Sequence, residues 1–436
     1  MSEAITAPRR AALDVLTRVR DGDLSDRALA RVADGLNARD RAWVQELVYG
    51  TLRLRGRLDH ILAEFVRGGM GSLQPVVLDI LRLGAYQLLE MGSVPAYAAV
   101  SQSVELTRAA GVGRAAGLVN GVLQSVRRGW RKVTFPSFED DPVAHLTTQG
   151  SHPKWLVERW VARWGADEAK RLVEANNSKP ELYITPSGMD VPEALASLAG
   201  TAVTAEPVAG FADSIRILPP HGPTEALAAV RAVVQDPAAA MVVRYAGIPE
   251  GATVLDLSAA PGGKAVGLAS RAGYVVANDV SLGRMRRVRT NVARAGVAES
   301  VGLVVADGRE APYRRVDAVL VDAPCTGTGT LRRHADGRWR LTPADLASLT
   351  RLQRELLDGA AGCVRRGGLL VYATCSLEPE ENEEQVSEFL TRHAGFRIEA
   401  PPPAIDGTML RDGMLAVLPQ RHGVDGAFAA RLRYTE

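Results

Sequence analysis

The stretch that decides the fold is TVLDLSAAPGGKA, from Thr253 to Ala265. It begins with an apolar run as long as one strand, and its glycines lead into a helical pattern. After Gly251, further apolar runs alternate with helical stretches; the runs are YVVANDV, VGLVVADG, DAVLVDAP and LLVYATCS. This alternation predicts an α/β domain with a doubly wound parallel sheet. In such sheets ligands bind beyond the carboxyl ends of the strands.

The loop DLSAAPGGKA (Asp256–Ala265) joins the first predicted strand to the next helix. Its small residues let the backbone approach a ligand closely, and the helix N-terminus offers N–H groups. It is not a P-loop, which has Gly where Ser258 stands and Ser or Thr where Ala265 stands, and it is not GxGxxG. The next two strands end at Asp279 and Asp307, where carboxylates can meet a ribose and a base edge. This predicts a nucleoside cofactor, with turn-forming aspartates as the alternative.

Lysine is rare in this chain, which has only five, and after Lys179 every basic residue except Lys264 is arginine. A single lysine in a Gly-rich loop indicates a site that needs a compact ammonium group on a flexible stem. Chance placement is the alternative.

Two of the three cysteines follow predicted strands. Cys325 lies in VLVDAPCTGTG, three residues after Asp322, and Cys375 lies in LLVYATCSLEPEEN. Loops at strand ends can lower the pKa of a thiol, so the pattern predicts two reactive thiols beside a carboxylate. The alternative is that each cysteine is a small buried hydrophobe. Cys363 lies among apolar residues of a helical stretch and is predicted to be an inert core thiol.

The first part of the chain has helical spacing throughout, which predicts an all-α bundle. From Met1 to Lys132 it has 19 basic and 13 acidic residues, a net charge of +6, whereas the remainder has a net charge of −4. The basic part favours a polyanionic partner, with an ordinary solvated surface as the alternative. We predict an all-α domain at 1–133, a helical linker at 134–179, a small α+β subdomain at 180–234 and a catalytic domain at 235–436.

The composition argues against several classes of protein. No segment of the 436 residues approaches the roughly 20 apolar residues of a membrane span. Three cysteines do not form a disulfide framework, and none has the neighbours of a metal site. MSEAITAPRR lacks the apolar core of a signal peptide. We therefore expect a cytoplasmic monomer with reduced thiols, no metal and no membrane partner.

Three motifs are similar to those of the RNA cytosine-5 methyltransferases that use S-adenosylmethionine (SAM): DLSAAPGGKA, VDAPCTGTGTLRRHADGRW and YATCSLEPEENEEQV. RRAALDVL, RDRAWVQELVYGTLR and AAGLVNGVLQ resemble a NusB-type RNA-binding domain. The pairing resembles the RsmB/Sun family, which methylates a cytosine of small-subunit (16S) ribosomal RNA. It implies a NusB-like bundle, a small α+β subdomain and a Rossmann-like methyltransferase domain. The alternatives are the same chemistry on tRNA or another RNA, and a non-catalytic RNA-binding factor.

The resemblance implies roles for individual residues. Asp279 would hold the SAM ribose and Asp307 its adenine, and Asp322 would lie where SAM meets the target cytosine. Cys375 would be the nucleophile and Cys325 would assist product release. Spacing alone does not rank the two cysteines, since DNA cytosine-5 methyltransferases use the Pro-Cys cysteine as the nucleophile. The SAM loop would consist of Ser258, Ala259, Ala260, Pro261, Gly262, Gly263 and Lys264.

One more segment and two departures bear on the resemblance. RRHADGRW (Arg332–Trp339) offers arginines and one aromatic ring for RNA contacts, with a solvated loop around a core tryptophan as the alternative. The family usually has Cys where Ser258 stands and often Thr where Ala265 stands. YITP (Tyr183–Pro186) stands where the family has an RVN-like strand.

Overall fold

The computed structural model describes residues 5–310 and 313–436. The chain forms two compact units. The first runs to Ser178 and also includes Leu331–Arg340, a segment from the second half of the chain. The second consists of Lys179–Thr330 and Leu341–Glu436.

Helices build the first unit, in agreement with the predicted all-α bundle. Apolar side chains on successive helices, such as Val15, Leu47, Ile80 and Leu123, are fully or almost fully buried in one core. The helices are α1 (Ala7–Arg20), α2 (Ser25–Val32), α3 (Ala38–Arg53), α4 (Arg55–Ala63), α5 (Pro75–Leu89), α6 (Ala96–Ala109), α7 (Ala116–Gly129), α8 (Pro142–Thr148), α9 (Lys154–Trp164) and α10 (Ala166–Asn177).

Leu331–Arg340 packs into this unit through the fully buried side chain of Arg338. Its guanidinium group donates to the carbonyl oxygens of Arg53, Ser151 and Asn176 at 3.1–3.2 Å. Burial, together with the nearby Arg53, lowers the pKa of Arg338 to about 9. The prediction that RRHADGRW offers its arginines to RNA is therefore wrong for Arg338, because carbonyl groups inside the protein occupy its donors.

A small α+β subdomain opens the second unit, as the sequence predicted. Ile184 and Ile215 lie on its buried face against the helices. Its elements are β1 (Leu182–Pro186), α11 (Val191–Ala199), β2 (Ala205–Val208), β3 (Phe211–Ile217), α12 (Pro223–Ala229) and β4 (Ala232–Val234). The strands form an antiparallel sheet in the order β2-β3-β1-β4.

The rest of the second unit is built on a large mixed sheet. After β4, the elements in chain order are α13 (Pro237–Ala246), β5 (Thr253–Asp256), α14 (Gly263–Ala269), β6 (Tyr274–Asn278), α15 (Leu282–Ala295), β7 (Val301–Val304), β8 (Val316–Asp322), α16 (Gly337–Arg340, in the first unit), α17 (Pro343–Gly362), β9 (Val364–Thr374), α18 (Glu383–Arg392), β10 (Phe396–Ile398), β11 (Leu410–Arg411), β12 (Met414–Val417), α19 (Pro419–His422) and β13 (Ala427–Tyr434). Within the sheet, neighbouring strands follow the order β11-β12-β13-β9-β8-β5-β6-β7, and β10 pairs with β13.

The five adjacent strands β9, β8, β5, β6 and β7 are parallel, which confirms the predicted Rossmann-like arrangement. Strands β10 to β13 add an antiparallel half that the sequence analysis did not anticipate. β13 pairs with β9 from Phe428 opposite Thr374 to Arg433 opposite Leu369. It thereby covers the edge that the parallel half would otherwise expose.

The register of the parallel strands brings the predicted site residues to one edge of the sheet. Asp256, the last residue of β5, lies opposite Leu320, and Asp322, the last residue of β8, lies opposite Ala373. Cys375 directly follows Thr374, where β9 ends. Across the described residues, no helix is long and apolar enough to cross a membrane, and no group of three or more metal-ligating side chains occurs.

Candidate active site

A cavity of about 500 Å³ lies at the carboxyl ends of the parallel strands, within the size range of small-molecule sites. Most of the predicted site residues line it: Ser258, Ala260, Lys264, Asp279, Asp307, Asp322, Cys325 and Cys375. Four residues of the predicted cofactor loop are not among its lining residues: Ala259, Pro261, Gly262 and Gly263. The structure thus places side chains from five strand ends around one space.

The loop residues outside the lining have a structural reason for being small. Gly262 has a φ of +106°, and a Cβ there would lie 3.1 Å from the Cα of Val288. A Cβ on Gly263 would lie 3.1 Å from the side-chain nitrogen of Gln235. Ala259 is buried and donates its N–H to the carbonyl oxygen of Asn278 at 2.7 Å. These residues shape the loop from behind and leave Ser258 and Ala260 to face the cavity.

Lys264 and Asp322 form an ion pair inside the cavity, with Nζ and Oδ2 2.6 Å apart. Burial favours the neutral amine, but the charge and hydrogen bond of Asp322 outweigh it and raise the pKa of Lys264. Cys375 and Asp256 shift this pKa in the same direction. The only lysine beyond position 179 therefore supplies the positive charge between a carboxylate and a thiol.

Asp256 is a residue of this site that the sequence analysis did not single out. Its side chain is fully buried at the end of β5. Burial and the nearby charge of Asp322 raise its pKa to about 7, although Lys264 acts in the opposite direction. The signal was available, because Asp256 ends its strand as Asp322 does.

The two predicted thiols are neighbours. The Sγ atoms of Cys325 and Cys375 lie 3.4 Å apart, a hydrogen-bond distance for sulfur. The hydrogen bond with Cys375 and burial both raise the pKa of Cys325, and the charge of Glu381 adds to the effect. Cys363 is buried and lies near the carbonyl oxygen of Gly359, at 3.7 Å, which confirms it as a core thiol. The arrangement allows one thiol to donate a hydrogen bond to the thiolate of the other.

The opposite end of the cavity is formed by two carboxylates paired with arginines. Asp279 is almost completely buried and accepts hydrogen bonds from Ser281 N at 2.8 Å and Arg284 Nε at 3.0 Å. Asp307 accepts from Arg309 N at 3.0 Å and from Arg309 Nη2 at 2.6 Å. These hydrogen bonds from Arg309 lower the pKa of Asp307. Both carboxylates are therefore held as acceptors at the cavity wall.

Three family models match the chain. They describe a NusB family domain at residues 6–128, a ferredoxin-like domain of RsmF/B-like methyltransferases at 152–222, and a 16S rRNA methyltransferase RsmB/F at 247–433. A Mycobacterium tuberculosis relative, described as a methyltransferase, is 36% identical and covers 98% of this chain and 96% of its own length. The chain belongs to the RsmB/F family.

A further relative and two solved structures are also similar to this chain. Ribosomal RNA small subunit methyltransferase B of Klebsiella pneumoniae is 33% identical and covers 95% of both chains. The solved structure of PH0851 has a TM-score of 0.81 at 26% identity and covers 99% of this chain and 100% of its own. NSun6 from Pyrococcus horikoshii, solved with SFG, shares the fold at 21% identity, with a TM-score of 0.55 over 65% of this chain and 98% of its own.

Family membership makes this RsmB/F protein a SAM-dependent rRNA methyltransferase. The residues present fit that cofactor. The cavity offers carboxylates that can accept hydrogen bonds from a ribose and a base. Its loop also needs glycine at 262 and 263, where a larger side chain would collide with Val288 or Gln235. The resemblance seen in the motifs is thereby confirmed at the level of family, fold and cofactor.

Proposed function

We propose that this RsmB/F protein methylates carbon 5 of a cytosine in 16S rRNA through a covalent bond between Cys375 and carbon 6. The observation that carries the proposal is the pair of thiols 3.4 Å apart, in the cavity that also holds the Lys264–Asp322 ion pair. A single nucleophile would not need a second thiol at hydrogen-bond distance. A methyl transfer to an already nucleophilic atom would need neither.

The proposal assigns the two ends of the cavity to the two substrates. Ser258 to Lys264 form the SAM loop, Asp279 accepts hydrogen bonds from the ribose hydroxyls, and Asp307 accepts one from the adenine. When bound, SAM would supply an electrophilic methyl group, whose bond to sulfur breaks as the sulfur leaves as a neutral thioether. The target cytosine enters at the thiol end, and it must be unstacked from the RNA to be reached.

The first step turns carbon 5 of the cytosine into a nucleophile. The Cys375 thiolate adds to carbon 6, and the electron pair displaced from the ring double bond becomes available at carbon 5 for the methyl group. Asp322, carrying a proton, donates a hydrogen bond to ring N3 and stabilises the negative charge that the attack places on the ring. Lys264 holds Asp322 in place through their 2.6 Å hydrogen bond.

The second step releases the product. The carbon 5 proton is removed, its electrons re-form the double bond with carbon 6, and the bond to Cys375 breaks with sulfur leaving as thiolate. Cys325 assists this elimination. After its own proton has passed to water, the Cys325 thiolate takes the carbon 5 proton, and the interactions that raise its pKa make that thiolate a stronger base.

The proposal also assigns work to the rest of the chain. The helical domain at 1–133, with its net charge of +6 over Met1–Lys132, supplies RNA affinity rather than chemistry. The segment at 134–179 connects it, and the catalytic domain at 235–436 performs the transfer.

Single substitutions of the two cysteines test the chemistry. Cys375→Ala should neither methylate a 16S rRNA transcript nor form an adduct, because nothing attacks carbon 6. Cys325→Ala should attack and then stall, leaving an RNA–protein complex that survives denaturing electrophoresis. The double variant should resemble Cys375→Ala, and bisulfite sequencing of the transcript should locate the methylated cytosine.

Two outcomes would contradict this scheme. Trapping by Cys375→Ala but not by Cys325→Ala would reverse the two roles. Full activity of both variants without trapping would make the thiols structural and remove the covalent mechanism.

A further inference from the structure

Two adjacent buried residues, Glu381 and Asn382, lie behind the thiol end of the cavity, where Cys325 and Cys375 are located. They immediately precede α18 and come from the motif YATCSLEPEENEEQV. The side chain of Glu381 is 0% exposed and that of Asn382 is 4% exposed. The chemistry proposed above uses neither of them.

Glu381 fixes the backbone around Cys325. Its Oε1 accepts a hydrogen bond of 2.9 Å from the N–H of Thr326, and its Oε2 accepts one from the Thr326 hydroxyl. The side-chain amide of Gln353 donates both to Glu381 Oε1 at 2.9 Å and to the carbonyl oxygen of Pro324 at 2.8 Å. The residues before and after Cys325 are thus held by one connected network.

Asn382 does the same for Cys375. Its Oδ1 accepts a hydrogen bond of 2.6 Å from the Thr374 hydroxyl, and its Nδ2 donates to the carbonyl oxygen of Ser376 at 2.9 Å. These two partners again lie directly before and after a cysteine. Two consecutive side chains therefore set the positions of two thiols that are fifty residues apart in sequence.

Burying Glu381 is costly, since a carboxylate loses its hydration there. Burial raises its pKa, and the hydrogen bonds from Ser376, Thr326 and Gln353 counteract that effect. An apolar side chain could fill the same core position without this cost. The directed hydrogen bonds are what a carboxylate adds, and they end on the segment that carries Cys325.

We propose that Glu381 and Asn382 are positioning residues that hold the two thiols within reach of each other. Glu381, with Gln353, fixes Cys325, and Asn382 fixes Cys375. That the two residues affect different steps rests on the proposed function, whereas the positioning itself does not.

The first experiment measures positioning without any methyl transfer. Diamide oxidises two neighbouring thiols to a disulfide, taking up their two electrons and two protons as it becomes a hydrazine. In the full-length protein, Glu381→Ala should form the Cys325–Cys375 disulfide about tenfold more slowly than Glu381→Gln, because proximity sets the rate. Both variants lack the charge of Glu381, so their difference reports hydrogen bonding alone. Gln353→Ala should also form the disulfide more slowly than the unmodified protein.

The second experiment uses the adduct assay with a 16S rRNA transcript and SAM. Glu381→Ala should accumulate the denaturation-resistant complex as Cys325→Ala does, because attack continues while release fails. Asn382→Ala should lose methylation without accumulating the complex, as Cys375→Ala does. Glu381→Gln should restore release, since glutamine keeps an acceptor for the Thr326 N–H. Glu384→Ala, an exposed change on α18, is the control and should behave as the unmodified protein.

The results separate the failure of this inference from the failure of the proposed function. Equal disulfide rates for Glu381→Ala, Glu381→Gln and Glu384→Ala would overturn the positioning role, whatever the RNA assay shows. If Cys325→Ala traps RNA but Glu381→Ala and Asn382→Ala behave alike, the assignment of one residue to each thiol is wrong. If Cys325→Ala traps nothing while the disulfide rates differ as expected, positioning stands and the covalent mechanism falls.

Discussion

The two ends of the cavity are held in different ways. At the thiol end, the side chains that hold the segment around Cys325 are buried: Glu381 and Gln353 are 0% exposed. At the other end, which we propose as the cofactor end, Asp279 and Asp307 are paired with exposed arginine side chains, Arg284 (45% exposed) and Arg309 (47% exposed). The two thiols are therefore surrounded by buried, hydrogen-bonded groups, whereas Asp279 and Asp307 are paired with groups that solvent can reach.

This difference predicts where substitutions will be felt. A preorganised donor in a site shielded from water contributes about a hundredfold or more to the rate of a reaction. An exposed ion pair contributes about 0–1 kcal/mol, because water and salt screen it. Changes at the thiol end should therefore reduce kcat strongly, and changes at the cofactor end should reduce SAM affinity to a smaller degree.

Among the changes that test this difference, the largest effect is expected from Lys264→Met. This substitution removes the ammonium group beside Asp322, so Asp256 and Asp322 lose the cation that acts on both. We expect kcat for methylation of a 16S rRNA transcript to fall by about a hundredfold or more. Steady-state kinetics at saturating SAM measures this fall.

Lys264→Arg is the matched control, since it keeps the positive charge but replaces a compact ammonium group with a planar fork. We expect its kcat to be about tenfold lower than that of the unmodified protein and higher than that of Lys264→Met. Full activity of Lys264→Arg would show that charge alone suffices there and that the compact shape of lysine is not required.

The sequence predicted the residues of this site best where strand geometry brings them together. Asp279, Asp307, Asp322, Cys325 and Cys375 each lie at or just after the end of a strand, and parallel strands end at a common edge, so their convergence followed from order alone. The order of strands and helices also predicted the parallel half of the sheet. The roles of these residues in SAM binding and catalysis remain predictions.

The sequence could not reveal side-chain contacts between segments that are distant in the chain. Gln353 and Glu381 meet behind Cys325 although 28 residues separate them, and no periodic pattern encodes that contact. The burial of Arg338 was likewise hidden, because most of its carbonyl partners, those of Arg53, Ser151, Asn176 and Asn177, come from residues 161 or more positions away. Strands β10 to β13 were not predicted, since they are defined by antiparallel pairing with one another and, through β13, with β9, rather than by alternation with helices.

A smaller effect is expected from Asp279→Ala at the cofactor end. Loss of the acceptor for the ribose hydroxyls should weaken SAM binding by about tenfold, or about 1.4 kcal/mol, with little change in kcat at saturating SAM. Titration calorimetry measures the affinity. Arg284→Ala removes only the exposed partner of Asp279 and serves as the control. Unchanged affinity of Asp279→Ala would exclude Asp279 from the cofactor site.

The smallest effect is expected from Arg309→Ala. Arg309 orients Asp307 through its backbone N–H, which the substitution keeps, and through its guanidinium group, which the substitution removes. Since that group is about half exposed and also pairs with Glu355, its net contribution to SAM affinity should be small. SAM affinity should change by less than about fivefold at low salt, and the difference should shrink at high salt as screening removes it. If Arg309→Ala lowered SAM affinity by about as large a factor as Lys264→Met lowers kcat, or by a factor that salt does not reduce, both ends of the cavity would be equally preorganised.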